Sequence, residues 1–258
     1  YESYLVIEEV YQKQSLLVEH DLVEVQGLFL RKEKPVLSPR KLSKDFQTNI
    51  ALLGLEERIQ QEEFAQKVQE FLQGEAISFI QAQTGIGKTY GYLLPALSLE
   101  NEGGILLSVP TKILQNQMIQ EEAKRLEEIF HMSIHSLKGP QNYLKLDAFH
   151  TALEEEESNR LYTRFKMQLL VWLTETDTGD LDEIGQLYRY QQFLPNLVHD
   201  GNLHKDSLFW LEDFWKRGQD KARSCKLLVT NHAYLVTRLE DDPSLLEGRL
   251  LILDEAQK

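Results

Sequence analysis

The sequence predicts an α/β fold: a parallel sheet with helices on both faces, a large helical insertion and a small N-terminal β ribbon. Three observations predict it. Apolar runs that read as strands alternate with stretches of helical period. One such run, Ile77-Ser78-Phe79-Ile80, leads into the glycine loop Gln81-Ala82-Gln83-Thr84-Gly85-Ile86-Gly87-Lys88-Thr89. Another, Leu250-Leu251-Ile252-Leu253, delivers the adjacent carboxylates Asp254 and Glu255. A phosphate loop after a strand, followed by strands spaced with helices, implies a parallel sheet covered on both sides.

Taken in order, Tyr4 to about Leu30 reads as extended. Tyr4-Leu5-Val6-Ile7, Leu16-Leu17-Val18 and Leu22-Val23-Glu24-Val25 are rich in aromatic and β-branched residues. A linker through Pro35 and Pro39 follows. From Leu55, the residues Ile59, Phe64, Val68, Phe71 and Leu72 recur at helical spacing, and the helix stops at Gly74. The loop helix continues through Gly91 to Leu99, and Gly104 to Val109 is a buried strand. Thr111 caps a helix reaching Phe130. Met132 to Leu137, Lys226 to Thr230 and Arg249 to Leu253 are further strands. Residues 139–224 lack a convincing sheet strand and read as the helical insertion. The domains expected are 1–49, ribbon and linker, and 50–258, the α/β domain.

The chain has 258 residues with 42% hydrophobic and 27% charged content, ordinary for a globular protein. No apolar run approaches the ~18 residues of a membrane span, so no membrane partner is expected. The single Cys225 rules out an internal disulfide and points to a reducing, cytoplasmic setting. Tyr1-Glu2-Ser3-Tyr4 lacks an initiator methionine and a leader pattern, so a piece of a longer protein is expected. A formal net charge of −13 argues against sequence-blind attraction to nucleic acid, though a local basic groove is compatible with it. The acidic run Glu154 to Glu157 reads as a solvated helix face.

The chemistry concentrates at the two apolar-led motifs. Gly85 and Gly87 let the backbone curl so that amides of Thr84 to Thr89 face phosphate oxygens at a helix N-terminus. Lys88 reaches the outer phosphates, and the Thr89 hydroxyl suits a magnesium ion. Asp254 stands where a metal-holding carboxylate is needed, and Glu255 where a base orients water. A glycine turn before a helix is the alternative for the loop alone; the second motif argues against it. Ala82 stands where the strict loop pattern has glycine, which is acceptable only if that position needs no positive φ.

Further candidates each have a plainer reading beside the functional one. Gln61 has a donor and an acceptor that match two edges of adenine, or is an exposed helix glutamine. Thr111 and Lys112 open a helix that could hold a nucleic-acid phosphate, or form an ordinary cap. Lys138, Asn142 and Tyr143 combine a cation, a turn and an aromatic face suited to a single strand, or make a plain loop. Asn231 and His232 follow an apolar strand, where ligand-binding residues collect, and His232 is otherwise a structural histidine. Zinc is not expected from His131 and His135.

Together these residues resemble the DinG/XPD branch of superfamily-two helicases. The likeness runs from about Gly54 to the end. It rests on Arg58, Gln61 and Phe64-Ala65, on Ala82 to Thr89, on Thr111 with Gln117, and on Lys138-Gly139 with Asn142-Tyr143-Leu144. It continues through Trp172, Thr176-Asp177-Thr178-Gly179-Asp180, Asn231-His232-Ala233 and Asp254-Glu255-Ala256. The resemblance implies a RecA-like first motor domain that binds ATP and Mg2+, with Arg58 and Gln61 at the nucleotide. It implies DNA as partner, 5′→3′ movement, and a second motor domain carrying the arginine finger. By itself, this chain is then expected neither to unwind DNA nor to hydrolyse ATP usefully. Relatives with an iron–sulfur cluster have cysteines where this chain has Lys145 and Asp213, so no cluster is expected. Cluster-free relatives carry an exonuclease domain ahead of the helicase-like part, and a nucleotide-responsive single-strand clamp serving that nuclease is the alternative function. Gln257 also replaces the usual histidine of the box.

Overall fold

The fold is described from a computed structural model covering residues 21–35, 37–74, 77–99, 103–156, 158–202 and 204–257. The expected strands at Tyr4–Ile7 and Leu16–Val18 lie outside the described residues. Two compact units form, one from residues 1–36 and 139–220, the other from 37–138 and 221–258.

The first described elements are an antiparallel pair, β1 (Leu22–Val25) and β2 (Leu28–Arg31). Gln26 and Gly27 both take positive φ, 51° and 79°, which matches the right-handed twist of a two-residue hairpin. Next come α1 (Phe46–Leu52), capped by Asp45 through the Thr48 amide (2.8 Å), and α2 (Ile59–Gly74). The glycine loop opens α3 (Lys88–Leu97), and β3 (Ile105–Val109) follows. The expected helix from Thr111 forms as α4 (Lys112–Met118), a π-helical turn (Ile119–Ala123) and α5 (Lys124–Phe130). After β4 (Ile134–Ser136), the insertion contributes α6 (Leu146–Glu154), α7 (Arg160–Leu173) and α8 (Phe214–Ser224). The chain then forms β5 (Leu227–Asn231), α9 (His232–Asp241) and β6 (Leu250–Leu253).

The sheet is parallel, in the order β4-β5-β3-β6. Because strand side chains alternate between faces, consecutive residues of β3 and β5 enter different cores. Ile105, Leu107, Val109, Leu227 and Val229 pack with Leu93, Leu94, Leu97, Leu126 and Phe130 on one side. Leu106 and Leu228 join Leu137, Ala222, Cys225 and Leu235 on the other. Both faces are thus covered, as the near-continuous apolar runs require.

One expected strand is absent. Ile77–Ile80 takes irregular backbone, with Ile77 78% and Phe79 89% exposed. A strand is held by the ladder bonds of a neighbour. The sheet ends at β4 and β6, and β6 pairs with β3 alone among the described residues. Without a partner, a four-residue run cannot hide its side chains by alternation alone.

The middle residue of β4 carries a testable consequence. Although His135 keeps a partly open edge, its Nε2 is sealed and has no hydrogen-bond partner. Burial, reinforced by Lys221, pushes its pKa from 6.5 down to about 4. The unfolded chain takes up this proton near 6.5 and the folded chain only near 4. Stability should therefore be full above pH 6.5 and fall by at most about 3 kcal/mol as pH drops through that window. His135→Leu should flatten this part of the pH–stability curve, measured by denaturant titration; an unaltered slope would contradict it.

The unit containing the insertion has its own core. Phe165, Leu169, Trp172 and Leu173 of α7 are buried, Phe165 stacks on Tyr190 (4.3 Å), and Tyr162 stacks on Phe193 (4.5 Å). Trp215 packs between Tyr143 (5.6 Å) and His199 (6.0 Å). Glu183 gathers the Trp172 indole (3.2 Å) and the Thr176 hydroxyl (2.6 Å). Gly179 turns with φ 69° at a point where a Cβ would meet the Phe214 ring. The Thr176–Asp180 run is therefore a packed turn. Between α7 and α8 the chain forms short 3-10 turns, so the insertion is only partly helical.

Candidate nucleotide-binding site

The glycine loop has the geometry its composition demands. Gly85 and Gly87 lie at φ 84° and 82°, and Ala82 is not among the positive-φ residues, so alanine is tolerated there. Gly87 directly precedes α3, whose first turn presents its amides and positive dipole end beside Lys88 and Thr89. The loop is braced from α2 and the segment before it. Gln61 Nε2 donates to Gly87 O (2.8 Å), and Arg58 donates to Gly85 O (3.3 Å). A Cβ at Gly87 would fall 2.2 Å from that amide nitrogen, so a side chain there would displace the Gln61 brace as well as strain the positive φ. Gln61 is 5% exposed. It is therefore a buried brace of the phosphate loop, and the reading as an exposed helix glutamine is corrected.

The Asp-Glu box meets this loop through Tyr92, one turn beyond Lys88 on α3. The buried Tyr92 hydroxyl donates to Asp254 Oδ2 (3.3 Å) from the helix that also carries Lys88 and Thr89. Burial, then the Asp254 charge, push the phenol well above its usual 10, so it stays a proton donor. Glu255 follows at φ 52°, where the backbone turns out of β6. Glu122, on the π-helical turn, has its carboxyl raised first by burial, with Glu121 and Asp254 adding to the rise. Sequence reasoning missed both Tyr92 and Glu122. A polar group four residues after the loop lysine was the available signal for Tyr92.

Thr89 and Asp254 are hard oxygen donors, and Tyr92 links the helix of the first to the carboxylate of the second. That set fits magnesium, which needs only one or two protein ligands when nucleotide phosphates supply the rest. Among the described residues, no three His, Cys, Asp or Glu side chains gather as a separate metal site.

The residues expected at nucleic acid are placed differently from one another. Thr111 and Lys112 are exposed at the start of α4, where the Thr111 hydroxyl caps Leu114 N (3.2 Å). Lys138 is buried, at 2% exposure. In the other unit, Asn142 donates to Gly139 O (2.9 Å), and Tyr143 is 2% exposed with its ring against Trp215. No open face of Tyr143 is available for base stacking, which corrects that expectation. Asn231 and His232 also turn inward. Asn231 caps α9 at Tyr234 N (3.0 Å) and donates to Gln115 Oε1 (2.8 Å). His232 bonds Ser108 Oγ (2.7 Å) and Asp254 O (3.0 Å). Both side chains are half-buried and hydrogen-bonded to other residues of the domain.

A glycine loop opening a helix, an Asp-Glu box after a parallel strand and a hydroxyl joining the two define a P-loop nucleotide-binding domain of RecA-like type. Residues 58–176 match the family model described as DEAD/DEAH box helicase. The chain is 33% identical over 214 residues to the 3′-5′ exonuclease DinG of Staphylococcus saprophyticus, covering 80% of this chain and 23% of that protein. It is 32% identical over 212 residues to the 3′-5′ exonuclease DinG of Bacillus subtilis, covering 79% and 22%. For the protein of the same description in Staphylococcus aureus, the match is 32% over 195 residues, 71% and 20%. The chain carries a DEAD/DEAH box helicase domain of the DinG-like branch, and spans under a quarter of the length of these relatives.

Proposed function

We propose that this domain binds Mg·ATP and serves as the first motor domain of an ATP-dependent DNA helicase, moving 5′→3′ by family likeness. The observation that supports it best is the meeting of the loop helix and the box at Tyr92, whose hydroxyl donates to Asp254 from the helix that carries Lys88 and Thr89. Lys88 and the amides of residues 84–89 hold the phosphates, with Thr89 and Asp254 holding magnesium. A bound magnesium ion would neutralise phosphate charge. Glu255 orients the attacking water. Arg58 and Gln61 brace the loop, and Gln61 also reads the base through the rest of its amide. DNA meets the exposed start of α4 at Thr111 and Lys112. A second motor domain and an exonuclease domain complete the parent protein, in keeping with the exonuclease description of the relatives.

Gln61→Ala should weaken ATP binding by about 1–2 kcal/mol, the value of a lost hydrogen-bonded pair. Calorimetry with ATP and GTP separates its two tasks. A loss confined to ATP assigns Gln61 to the base, and an equal loss for both nucleotides confines it to the loop.

The exonuclease description of the relatives also favours a second reading, in which the motor is a nucleotide-responsive clamp for single-stranded DNA. Glu255→Gln in the full-length protein distinguishes them. Nuclease-coupled behaviour that persists while ATP still binds supports the clamp, and its loss supports the motor.

A further inference from the structure

We propose that Tyr92 and His232 are positioning residues for Asp254: Tyr92 fixes its carboxylate, and His232 fixes the peptide from which it projects. The inference rests on the reading that Asp254 helps to hold magnesium. Asp254 lies just past β6 and immediately before Glu255, whose φ of 52° turns the chain away from the strand. At such a turn the side-chain direction depends on what pins the peptide. Asp254 N donates to Ser108 O (2.9 Å), which ties it to β3. Its carbonyl can only accept, so His232 Nε2 at 3.0 Å carries the proton. That leaves Nδ1 to accept from Ser108 Oγ at 2.7 Å, which fixes both ring orientation and tautomer.

The imidazole is itself held. His232 is the first residue of α9, directly after the Asn231 cap, and Asn231 is tied to the fully buried Gln115. Gln115 in turn donates to Leu137 O (3.0 Å) and Val229 O (3.2 Å) beside the sheet. On the opposite side, Tyr92 projects from the same helix as Lys88 and Thr89 and is 8% exposed, so its hydroxyl has little freedom. Thr89 lies on that same helix, three residues before Tyr92. The phenol thus orients the Asp254 ligand from the helix that carries Thr89. Groups that orient metal ligands typically contribute 10–100-fold to metal affinity.

The test measures a fluorescent ATP analogue binding to the 258-residue chain in EDTA and across a Mg2+ titration. The variants are Tyr92→Phe, His232→Ala, His232→Gln and the control Asp254→Asn. Tyr92→Phe and His232→Ala should raise the Mg2+ concentration at half-response by about tenfold or more, with binding in EDTA unchanged within about twofold. His232→Gln keeps a donor for the Asp254 carbonyl and should recover most of the response. A purely structural role would lower the melting temperature of the His232 variants without moving the Mg2+ response, and that result overturns the proposal. The isosteric Tyr92→Phe keeps the test decisive if His232 variants fold poorly. If Asp254→Asn alone loses the Mg2+ response, the positioning proposal fails and the magnesium assignment stands. If Asp254→Asn keeps it, both fail.

Discussion

Assayed alone, the 258-residue chain should turn over ATP about 10³–10⁵-fold more slowly than a longer form carrying a second motor domain. On the proposed reading, the domain supplies the ground-state contacts: loop amides, Lys88, Thr89, Asp254 and the water-orienting Glu255. Phosphoryl transfer also needs charge stabilised on the γ-phosphate from across the cleft, and the family likeness assigns that arginine to the second motor domain. Arg58, the cation bonded to the loop, is committed to Gly85 O. Binding should therefore survive where catalysis does not. Steady-state hydrolysis with and without single-stranded DNA measures the gap. DNA-stimulated turnover of this chain at the rate of the longer form would contradict the division of labour.

Trp215→Ala should destabilise the unit that holds the insertion by about 3–5 kcal/mol, the usual cost of emptying a buried aromatic site. The indole is 7% exposed and packs on Tyr143 and His199. Its neighbours are tied by polar contacts at the two positions where cluster-bearing relatives have cysteine. Lys145 pairs with Asp200 (2.9 Å) and holds that carboxyl well below the usual range. Asp213 lies 3.3 Å from His199 Nε2 and accepts from Lys216 N (2.8 Å) at the start of α8. We expect these contacts and the aromatic core to supply the cohesion without thiolate ligands. The unmodified chain should keep its melting temperature in EDTA. Cys225 should resist oxidants, since burial raises its thiol pKa. Unfolding by chelation, or a Trp215→Ala loss well below 1 kcal/mol, would contradict this account.

Where the signal was local, the sequence was legible. The loop glycines, the helix at Ile59–Gly74, the Thr111 cap and four of the five expected sheet strands follow from φ requirements, capping chemistry and apolar runs. Ile77–Ile80 failed because a strand needs a partner, and four apolar residues cannot say whether one exists. Tyr143 failed for a related reason. A tyrosine next to lysine and asparagine looks like a stacking platform until Trp215, distant in sequence, covers it. For His232, the partners Ser108 and Asp254 lie 124 and 22 residues away, beyond the reach of any local signal. Leu208 and Leu211 point outward at 59% and 71% exposure, although leucine is among the residue types most often buried. In that stretch between α7 and α8 the inward position belongs to Phe209, and no helical period sorts the side chains of its irregular turns.

The central claim is that the glycine loop and the Asp-Glu box form one magnesium–nucleotide site. Isothermal titration of the chain with a nonhydrolysable ATP analogue, with and without Mg2+, tests it most directly when Lys88→Ala is run beside the unmodified protein. The account predicts single-site binding tightened by Mg2+, and a loss of about 10–100-fold in Lys88→Ala from one charge-assisted phosphate contact. Equal affinity of the two proteins for the analogue, or binding indifferent to Mg2+, would contradict it.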